Sequence, residues 1–302
     1  MGFHNRHHPE PINAMTVDLE DWGQAVLDPR LPVTPRVVEN VYRLLDFLDA
    51  HKVRATFFAL GRVCEQYPDL LPAVAAAGHE IGSHGYGHEL IYNLTPEQFE
   101  ADIRQATTVI ESQSGRRPIG YRAPAFSITN RSSWAGPILS RNGFCYSSSI
   151  FPVRKRRYGI PDAPRFPYRW ADCDLWEFPL TTVRLAGWNL PLCGGGYTRL
   201  LPAALMAAGI RSLNRQGRPA ILYLHPYEMA TGEVSWFRQQ GYSISSKRYF
   251  MQSLWRSRVP ARLGRLFAEF RFASVGEVLR LNSIDDPAQT PEDHPELCLL
   301  NS

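Results

Sequence analysis

The apolar residues of this chain fall into short runs that alternate with longer amphipathic stretches. Seven of the runs have the length and composition of buried strands. The predicted strands cover residues 14–17, 54–59, 80–82, 119–121, 144–146, 176–179 and 220–224. Strands that alternate with helices at this spacing predict a parallel sheet with right-handed crossovers. Six or seven such units favour a closed or nearly closed barrel.

Two helix starts are marked by their local sequence. Thr95 and Gln98 flank Pro96 in a capping-box pattern, which predicts a long amphipathic helix running to about residue 114. Thr34 before Pro35 predicts an N-cap followed by a first helical turn. The buried face of that helix is predicted from apolar residues at helical spacing, namely Val38, Val41, Leu44, Leu45 and Leu48.

Length and hydropathy suit one large domain. A chain of 302 residues with 44% hydrophobic residues is ordinary for a single α/β barrel. We therefore predict an α/β fold with a (β/α) barrel of about seven strands over residues 14–281. A helical, basic extension begins at about residue 230, and we expect it to pack beneath the barrel. Residues 1–13 are predicted to be a flexible tail and residues 282–302 a loose tail.

Charge and cysteine content exclude several classes of protein. The net charge of +4 is mild, and no basic run is interleaved with aromatic residues, so a nucleic-acid partner is not expected. The basic cluster at residues 154–157 predicts a solvated loop, or alternatively a contact with an anionic glycan or a membrane surface. Five cysteines without a C-x-x-C pair indicate reduced thiols. Without a signal-peptide pattern or a transmembrane segment, a cytoplasmic protein is predicted.

Two histidines four residues apart, His84 and His88, suggest a metal site just after the third predicted strand. On a helical turn this spacing would place both imidazoles on one face, within reach of one divalent cation. An isolated H-x-x-x-H is common by chance, so the pair needs support from other residues.

That support comes from polar residues at the ends of other predicted strands. Asp18, Glu20 and Asp21 follow the first strand, Arg122 follows the fourth and His225 follows the last. Each has a structural alternative: Asp18 could cap a helix, Arg122 could lie on the surface, and His225 could be a core histidine. A barrel, however, gathers the carboxyl ends of its strands into one mouth, so these side chains are expected to be neighbours.

The ordered set resembles the polysaccharide deacetylases of carbohydrate esterase family 4, from about residue 14 to residue 226. Five motifs carry the resemblance: Thr16-Val-Asp18-Leu-Glu20-Asp21, His84-Gly-Tyr-Gly-His88, Arg122-Ala-Pro124, Trp176-Glu-Phe-Pro179 and Leu222-Tyr-Leu-His225. The resemblance implies a distorted (β/α) barrel and a divalent metal, with zinc the expected ion. The Asp-x-Glu-Asp form, the segments 149–153 and 158–166 and the basic extension are similar to a subgroup found with exosortase and exopolysaccharide gene clusters.

The resemblance implies removal of N-acetyl groups from an amino-sugar polysaccharide or its precursor, and an association with exopolysaccharide assembly machinery. His84, His88 and one carboxylate would hold the metal. Asp18 would be the base, kept ionised by Arg122, and His225, from the opposite strand, would protonate the leaving amine. The ligand carboxylate is left open: Glu20 faces the same way as Asp18 on an extended strand, whereas a turn after Leu19 would present Asp21.

Two features depart from the family pattern or allow another function. Ser147 stands where the subgroup usually has an aspartate, and we expect a structural role for it. The Asp-x-Glu form also resembles metal-independent relatives that hydrolyse the cyclic amide allantoin. A further alternative is an inactive glycan-binding barrel, with aromatic platforms at Tyr86, Phe126, Trp134, Trp188 and Tyr197.

Overall fold

The computed structural model describes residues 11–155, 157–192 and 194–281. Tails were predicted for residues 1–13 and 282–302, of which residues 1–10 and 282–302 lie outside the described residues, whereas Asn13 already belongs to the first strand. The strands are β1 Asn13–Leu19, β2 Thr56–Ala59, β3 Glu80–Ser83, β4 Gly120–Tyr121, β5 Tyr146–Ser147, β6 Tyr168–Arg169, β7 Trp176–Glu177, β8 Thr182–Leu185, β9 Trp188–Pro191, β10 Ile221–Leu224 and β11 Phe272–Ala273. The helices are α1 Arg36–Ala50, α2 Gly61–Gln66, α3 Leu70–Ala76, α4 Pro96–Ser114, α5 Ala135–Arg141, α6 Gly196–Leu200, α7 Ala203–Asn214, α8 Glu233–Gln239, α9 Ser246–Ser253, α10 Val259–Glu269 and α11 Val275–Val278.

The main sheet is a curled half-barrel of parallel strands in the order β10-β1-β2-β3-β4-β5-β7. Antiparallel β6 adds to its far edge, and β11 pairs with the start of β1. Every residue of β1 is buried, as expected for a parallel strand covered on both faces. The predicted α/β barrel of about seven strands is confirmed, with β5 two residues later in the chain than predicted.

A side chain joins the two ends of the curled sheet where backbone pairing is missing. Thr181, four residues after β7, is buried, and its Oγ1 accepts a hydrogen bond of 2.6 Å from Ile221 N at the start of β10. The same hydroxyl lies 2.9 Å from Ile221 O and donates to it. The threonine therefore supplies the two hydrogen bonds that a further strand would have made.

Replacing Thr181 by valine should destabilise the fold, because it removes both bonds at constant side-chain shape. A buried donor left unsatisfied costs about 1–3 kcal/mol, so the free energy of unfolding in urea should fall by that amount. Thr108→Val is the matched control, since the Thr108 hydroxyl bonds the Arg104 carbonyl on an exposed helix face. If the two variants had equal urea-unfolding midpoints, Thr181 would not be holding the barrel closed.

The end of the C-terminal extension covers the amino-terminal end of the barrel. The backbone N–H of Val275 donates to Thr56 Oγ1 at 2.8 Å, and that of Gly276 donates to Glu80 Oε2 at 2.9 Å. β11 completes this cover by pairing with β1 at Asn13 and Ala14. With this end covered, the carboxyl ends of the strands are left for chemistry.

The helix starts agree only in part with the sequence-based predictions. The capping box at Thr95 is confirmed, and α4 ends at Ser114 as predicted. The N-cap predicted at Thr34 is wrong, because no side chain caps α1 and Thr34 instead donates its backbone N–H to Asp21. Among the helices of the described ranges, none has both the length and the apolar character needed to cross a bilayer.

The β8–β9 hairpin was not predicted. Its two-residue turn consists of Ala186 and Gly187, both with positive φ, at 49° and 82°. Positive φ at both central positions is typical of a tight hairpin turn, and the glycine was the signal available in the sequence.

Candidate metal and active site

Two carboxylates leave the end of β1 on the same side. Asp18 and Glu20 are separated by Leu19 and are each only 3% exposed, so the alternation of the strand carries both into one cleft. The cleft is lined by Asp18, Glu20, Ala25, His84, His88, Ala125, Phe126, Arg157, Tyr158, Tyr223, His225 and Tyr227, and its volume is about 200 Å³.

The two histidines lie on a loop and not on the helical turn that their spacing suggested. His84 follows β3 directly and extends its ladder by donating its backbone N–H to Ala59 O at 2.9 Å. His88 has a φ of 62°, so the loop turns back on itself. The Asp102 carboxylate of α4 holds this turn by accepting from the backbone N–H groups of Tyr86 and Gly87 at 2.9 and 3.2 Å. The imidazoles meet because the loop is tied to α4.

Glu20, His84 and His88 bring three ligand atoms within 4.8 Å of one another. Glu20 Oε2 lies 2.7 Å from His88 Nε2 and 3.5 Å from His84 Nε2. His84 Nδ1 lies 2.8 Å from the Arg122 carbonyl oxygen, which can only accept. The proton is therefore assigned to Nδ1, and Nε2 presents a lone pair to the site.

The electrostatics of this triad favour an ionised carboxylate. Burial acts to raise the pKa of Glu20, but the neighbouring His88, His84 and His225 hold it well below its ordinary value of 4.5. No backbone N–H or hydroxyl group satisfies the buried Glu20 Oε2 among the described residues, so the two imidazoles are its polar neighbours. Two imidazole nitrogens and one carboxylate oxygen are a common zinc donor set that leaves coordination positions open. The residues present therefore fit a divalent cation.

Asp21, the alternative ligand, is not brought to the histidines. The chain turns after Glu20, and Asp21 Oδ2 accepts the backbone N–H of Thr34 at 2.8 Å ahead of α1. Burial raises the pKa of Asp21 to about 7, although its hydrogen bonds with Thr34 oppose the shift. Asp21 holds the loop that enters α1, and the expectation that it might share the metal site is corrected in favour of Glu20.

Arg122 lies fully buried behind Asp18. Its Nη1 donates to Asp18 Oδ1 and to Thr16 Oγ1, both at 2.8 Å. Its Nε and Nη2 donate to the carbonyl and the hydroxyl of Ser148 at 3.0 and 2.8 Å. Asp18 is the one carboxylate in salt-bridge contact with this guanidinium among the described residues. The pair fixes the Asp18 carboxylate and leaves Oδ2 directed into the cleft.

His225 does not come from the strand opposite Asp18, as the sequence had suggested. It follows β10, which is hydrogen-bonded to β1, so the two residues sit on neighbouring strands. His225 Nε2 lies 3.2 Å from Glu20 Oε1 and 3.9 Å from Asp18 Oδ2. The ring is stacked on Tyr227, with centroids 4.8 Å apart. The barrel curls so that its last long strand pairs with its first, which brings these groups together.

The carboxylates around His225 favour its protonated form. Burial acts to lower the pKa of His225, but Glu228, Glu20 and Asp18 outweigh it and raise the pKa to about 9. Glu228 is itself buried, and its Oε2 accepts the backbone N–H of His225 at 3.3 Å. At neutral pH the imidazole is therefore a cation with a proton to give.

Sequence reasoning missed several residues of the site. Asp102 holds the histidine loop from α4 and could not have been found without the tertiary structure. Tyr227 and Glu228 follow His225 directly in the chain, which was the available signal. The wall at Ala125 and Phe126 has positive φ at both positions, 50° and 53°, a strained conformation that is common at functional sites.

Several other predicted residues lie away from the cleft. Ser147 is buried and donates to Ser149 Oγ at 2.8 Å without lining the cleft. Glu177 of the fourth motif accepts the backbone N–H groups of Ser149 and Ile150. Of the aromatic residues suggested as sugar platforms, Phe126 lines the cleft, whereas Trp134 packs against Phe99.

Two family models match successive parts of the chain. Residues 28–137 match the model described as polysaccharide deacetylase. Residues 148–280 match a domain of unknown function, DUF3473. The first matched segment contains the histidine loop and Arg122, and the second contains His225. Asp18 and Glu20 precede both segments, so the cleft draws on all three parts of the chain.

Two curated relatives that match parts of this chain are named deacetylases. A peptidoglycan deacetylase of Helicobacter pylori is 32% identical over 162 residues, which is 54% of this chain and 51% of that protein. A peptidoglycan-N-acetylglucosamine deacetylase of Bacillus cereus is 32% identical over 108 residues, covering 35% of this chain and 37% of the relative. The chain thus spans about half of the first relative's length and less of the second.

Solved structures extend the similarity to nearly the whole chain at the level of the fold. A Mycobacterium smegmatis protein described as a polysaccharide deacetylase aligns with a TM-score of 0.57 at 19% identity, covering 94% of this chain and 95% of that one. Puue allantoinase aligns with a TM-score of 0.60 at 16% identity, covering 94% and 96%. At these identities the likeness shows the fold alone. Both alignments support the expected distorted (β/α) barrel.

Proposed function

We propose that this protein is a metal-dependent hydrolase that removes N-acetyl groups from an amino-sugar polysaccharide or its precursor. The observation that carries the proposal is the convergence of three groups in one cleft. The Glu20–His84–His88 donor set, the Asp18–Arg122 pair and the protonated His225 all lie within a few ångströms of one another. These are the groups that hydrolysis of an acetamide requires: a Lewis-acid site, a base and an acid.

Glu20, His84 and His88 would hold the cation, which we propose to be zinc, through one carboxylate oxygen and two Nε2 atoms. When bound, such a cation polarises the acetamide carbonyl and makes water a stronger acid. Asp18 Oδ2 accepts the proton of the attacking water, while Arg122 holds the carboxylate in position through Oδ1. His225 Nε2 donates its proton to the departing amine. Acetate and a free amino sugar leave the cleft.

The role of His225 predicts a pH profile. The rate should fall as pH rises through the pKa of His225, because the imidazolium loses the proton that the amine needs. That pKa is about 9 in the described structure. A cation on Glu20 would offset part of the carboxylate charge, so we expect the alkaline limb at or below this value. The measurement is kcat and kcat/KM for acetamide hydrolysis between pH 6 and pH 10.

His225→Gln should abolish the alkaline limb and slow amide hydrolysis by roughly 10²–10⁴-fold, the usual contribution of one general acid. Metal content should not change. An activated ester, whose leaving group needs no proton, serves as the internal control and should slow far less. If ester and amide turnover fell equally, His225 would be shaping the cleft and not donating a proton.

The direct test of the proposed function is acetate release from a panel of N-acetylated glycans, with and without chelator. We expect release from at least one polymer, loss of release on chelation and recovery on adding back zinc. Release that persists in chelated, metal-free protein would rule out the metal-dependent mechanism.

The second candidate, a metal-independent cyclic-amide hydrolase, is supported by the Asp18-Leu19-Glu20 spacing. It predicts turnover of allantoin by metal-free protein and no acetate release from glycans. Assaying one metal-free preparation and one zinc-loaded preparation on both substrates separates the two candidates.

The finer biological role rests on the resemblance of the motifs. We propose action in exopolysaccharide biosynthesis, in the cytoplasm and in association with the assembly machinery. Deleting the gene should then raise the N-acetyl content of the exported polymer. An unchanged polymer would contradict this role without affecting the chemistry proposed for the cleft.

A further inference from the structure

A second concave surface lies beside the catalytic cleft, and we call it the basic groove. Its lining includes Val153, Arg154, Arg165, Phe166, Arg184 and Trp188, and its volume is about 550 Å³. Its walls come from residues 152–154, from residues 161–166 and from the β8–β9 hairpin, outside the groups used in the proposed reaction.

One segment of chain joins the groove to the cleft. Val153 and Arg154 line the groove, while Arg157 and Tyr158 of the same segment line the cleft. The Tyr158 ring stacks on Phe151 with centroids 5.8 Å apart, which holds Tyr158 in place at the edge of the cleft. Arg154 and Arg157 are three residues apart, so their Cα atoms are separated by about 11 Å at most. A polymer whose acetamide lies in the cleft can therefore reach the groove with neighbouring sugar units.

The groove carries positive charge that the protein does not neutralise. Arg154, Arg165 and Arg184 line it, and none of the three forms a salt bridge with an acid among the described residues. Asp162 is the one acid among the lining residues, and it pairs with none of them. Burial, followed by the charges of Arg184 and Arg218, lowers the pKa of Arg165. A bound anion would relieve this repulsion between like charges.

Aromatic side chains accompany the arginines. The Trp188 side chain on the β8–β9 hairpin is largely solvent-exposed, at 67%. Phe166 lies beneath two guanidinium groups, 3.7 Å from Arg218 and 5.1 Å from Arg165. A flat indole presents an apolar face for a sugar ring, and guanidinium groups match carboxylate and phosphate oxygens in pairs. Together they suit a ligand that is both carbohydrate and anion.

We propose that the basic groove binds anionic sugar units of the substrate glycan, so that the protein prefers acidic N-acetylated polymers over neutral ones. This inference rests on the proposed deacetylase function and adds the substrate class to it. A glycan is favoured over an anionic membrane surface because the site is concave and lies within three residues of the cleft along the chain. Arg165 forms part of the groove lining, and hydrogen bonds to Thr182 Oγ1 and the Thr182 carbonyl hold its guanidinium in a fixed position for a ligand.

The first experiment compares kcat/KM on heparosan oligosaccharides, which alternate N-acetylglucosamine with glucuronate, and on neutral chitohexaose. The variant is Arg154→Gln/Arg184→Gln, since both side chains are exposed and lie outside the catalytic machinery. Lys247→Gln/Arg248→Gln removes the same charge from the exposed surface of α9 and is the matched control. We expect the groove variant to lose about tenfold on heparosan through KM, with kcat and chitohexaose turnover unchanged. The loss should shrink at high salt.

A second experiment measures binding without catalysis. Tetragalacturonate carries carboxylates, pentamannose 6-phosphate carries a phosphate, and neither has an acetamide, so calorimetric titration tells the two anions apart. We expect at least one to bind the wild-type protein and the control variant, and to bind the groove variant about tenfold more weakly.

The outcomes separate the two proposals. Arginine-dependent binding of an acidic oligosaccharide without any acetate release would leave the groove assignment standing and reject the deacetylase. Equal heparosan turnover and equal binding by the groove and control variants would overturn the groove assignment, and acetate release would then stand on its own. If the groove arginines proved necessary for binding phosphatidylglycerol vesicles but not for binding oligosaccharides, the surface would be a membrane contact, and the proposal would be wrong.

Discussion

His84→Ala and His88→Ala should each lose stoichiometric metal and nearly all deacetylase activity. Each imidazole presents Nε2 to Glu20 Oε2 in the buried triad, so either substitution removes one of three ligands. Loss of a residue that only orients a ligand costs about 10–100-fold in metal affinity, and loss of a ligand should cost more. The measurements are metal content by atomic emission after dialysis, and acetate release at saturating glycan.

The two neighbouring acids provide a matched pair for the same measurement. Glu20→Gln should lose metal as the histidine variants do. Asp21→Asn should keep it, because Asp21 binds the Thr34 backbone and not the cleft. A Glu20→Gln protein with a full complement of metal, or an Asp21→Asn protein without it, would reverse the assignment of the ligand.

The Asp18→Asn variant should bind metal normally and turn over roughly 10⁴-fold more slowly, at the upper end of the range for one acid–base group. Asparagine cannot accept the proton of the attacking water, whereas all three metal ligands remain. Metal content and the rate of acetate release, measured on the same preparation, test both halves of this expectation. If the Asp18→Asn variant turned over at the wild-type rate, Asp18 would have no part in the mechanism.

The loss of charge at Asp18 should also be visible in stability. Arg122 is fully buried, and Asp18 is its acidic partner in the described structure. Removing one member of a buried ion pair outright lowers the free energy of unfolding by about 3–5 kcal/mol. Asparagine keeps an acceptor oxygen for Arg122, so the Asp18→Asn variant should lose less stability than this. Urea unfolding measures it. Asp28→Asn, which breaks the exposed pair with Arg30, is the control and should change neither stability nor turnover.

The barrel strands could be predicted because buried parallel strands are mostly apolar and short. All seven predicted runs appear in the main sheet, and β1 is buried at every position. The capping box at Thr95 is equally local, since both of its hydrogen bonds lie within four residues. The β8–β9 hairpin escaped prediction because its strands are exposed and lack a clean apolar alternation.

The candidate site was predictable in its members but not in its contacts. A barrel gathers the carboxyl ends of its strands, so residues after the strands were expected to meet. The spacing of His84 and His88 suggested a helix, yet the backbone turns at His88. Asp102 of α4 stabilises this turn by accepting a backbone hydrogen bond from Tyr86. His225 was expected opposite Asp18, but pairing of β10 with β1 sets them side by side.

The sequence by itself determined the strands of the barrel, the end of each strand at which chemistry lies, and the residue types available there. These follow from hydrophobic periodicity and side-chain chemistry, which are local properties. The tertiary structure alone decided that Glu20 and not Asp21 faces the histidines, and that Thr181 joins the ends of the sheet. It also decided that three arginines with no acidic partner among the described residues line one groove beside the cleft. These facts depend on which segments become neighbours, because hydrogen bonds and charges act over a few ångströms whatever the separation along the chain.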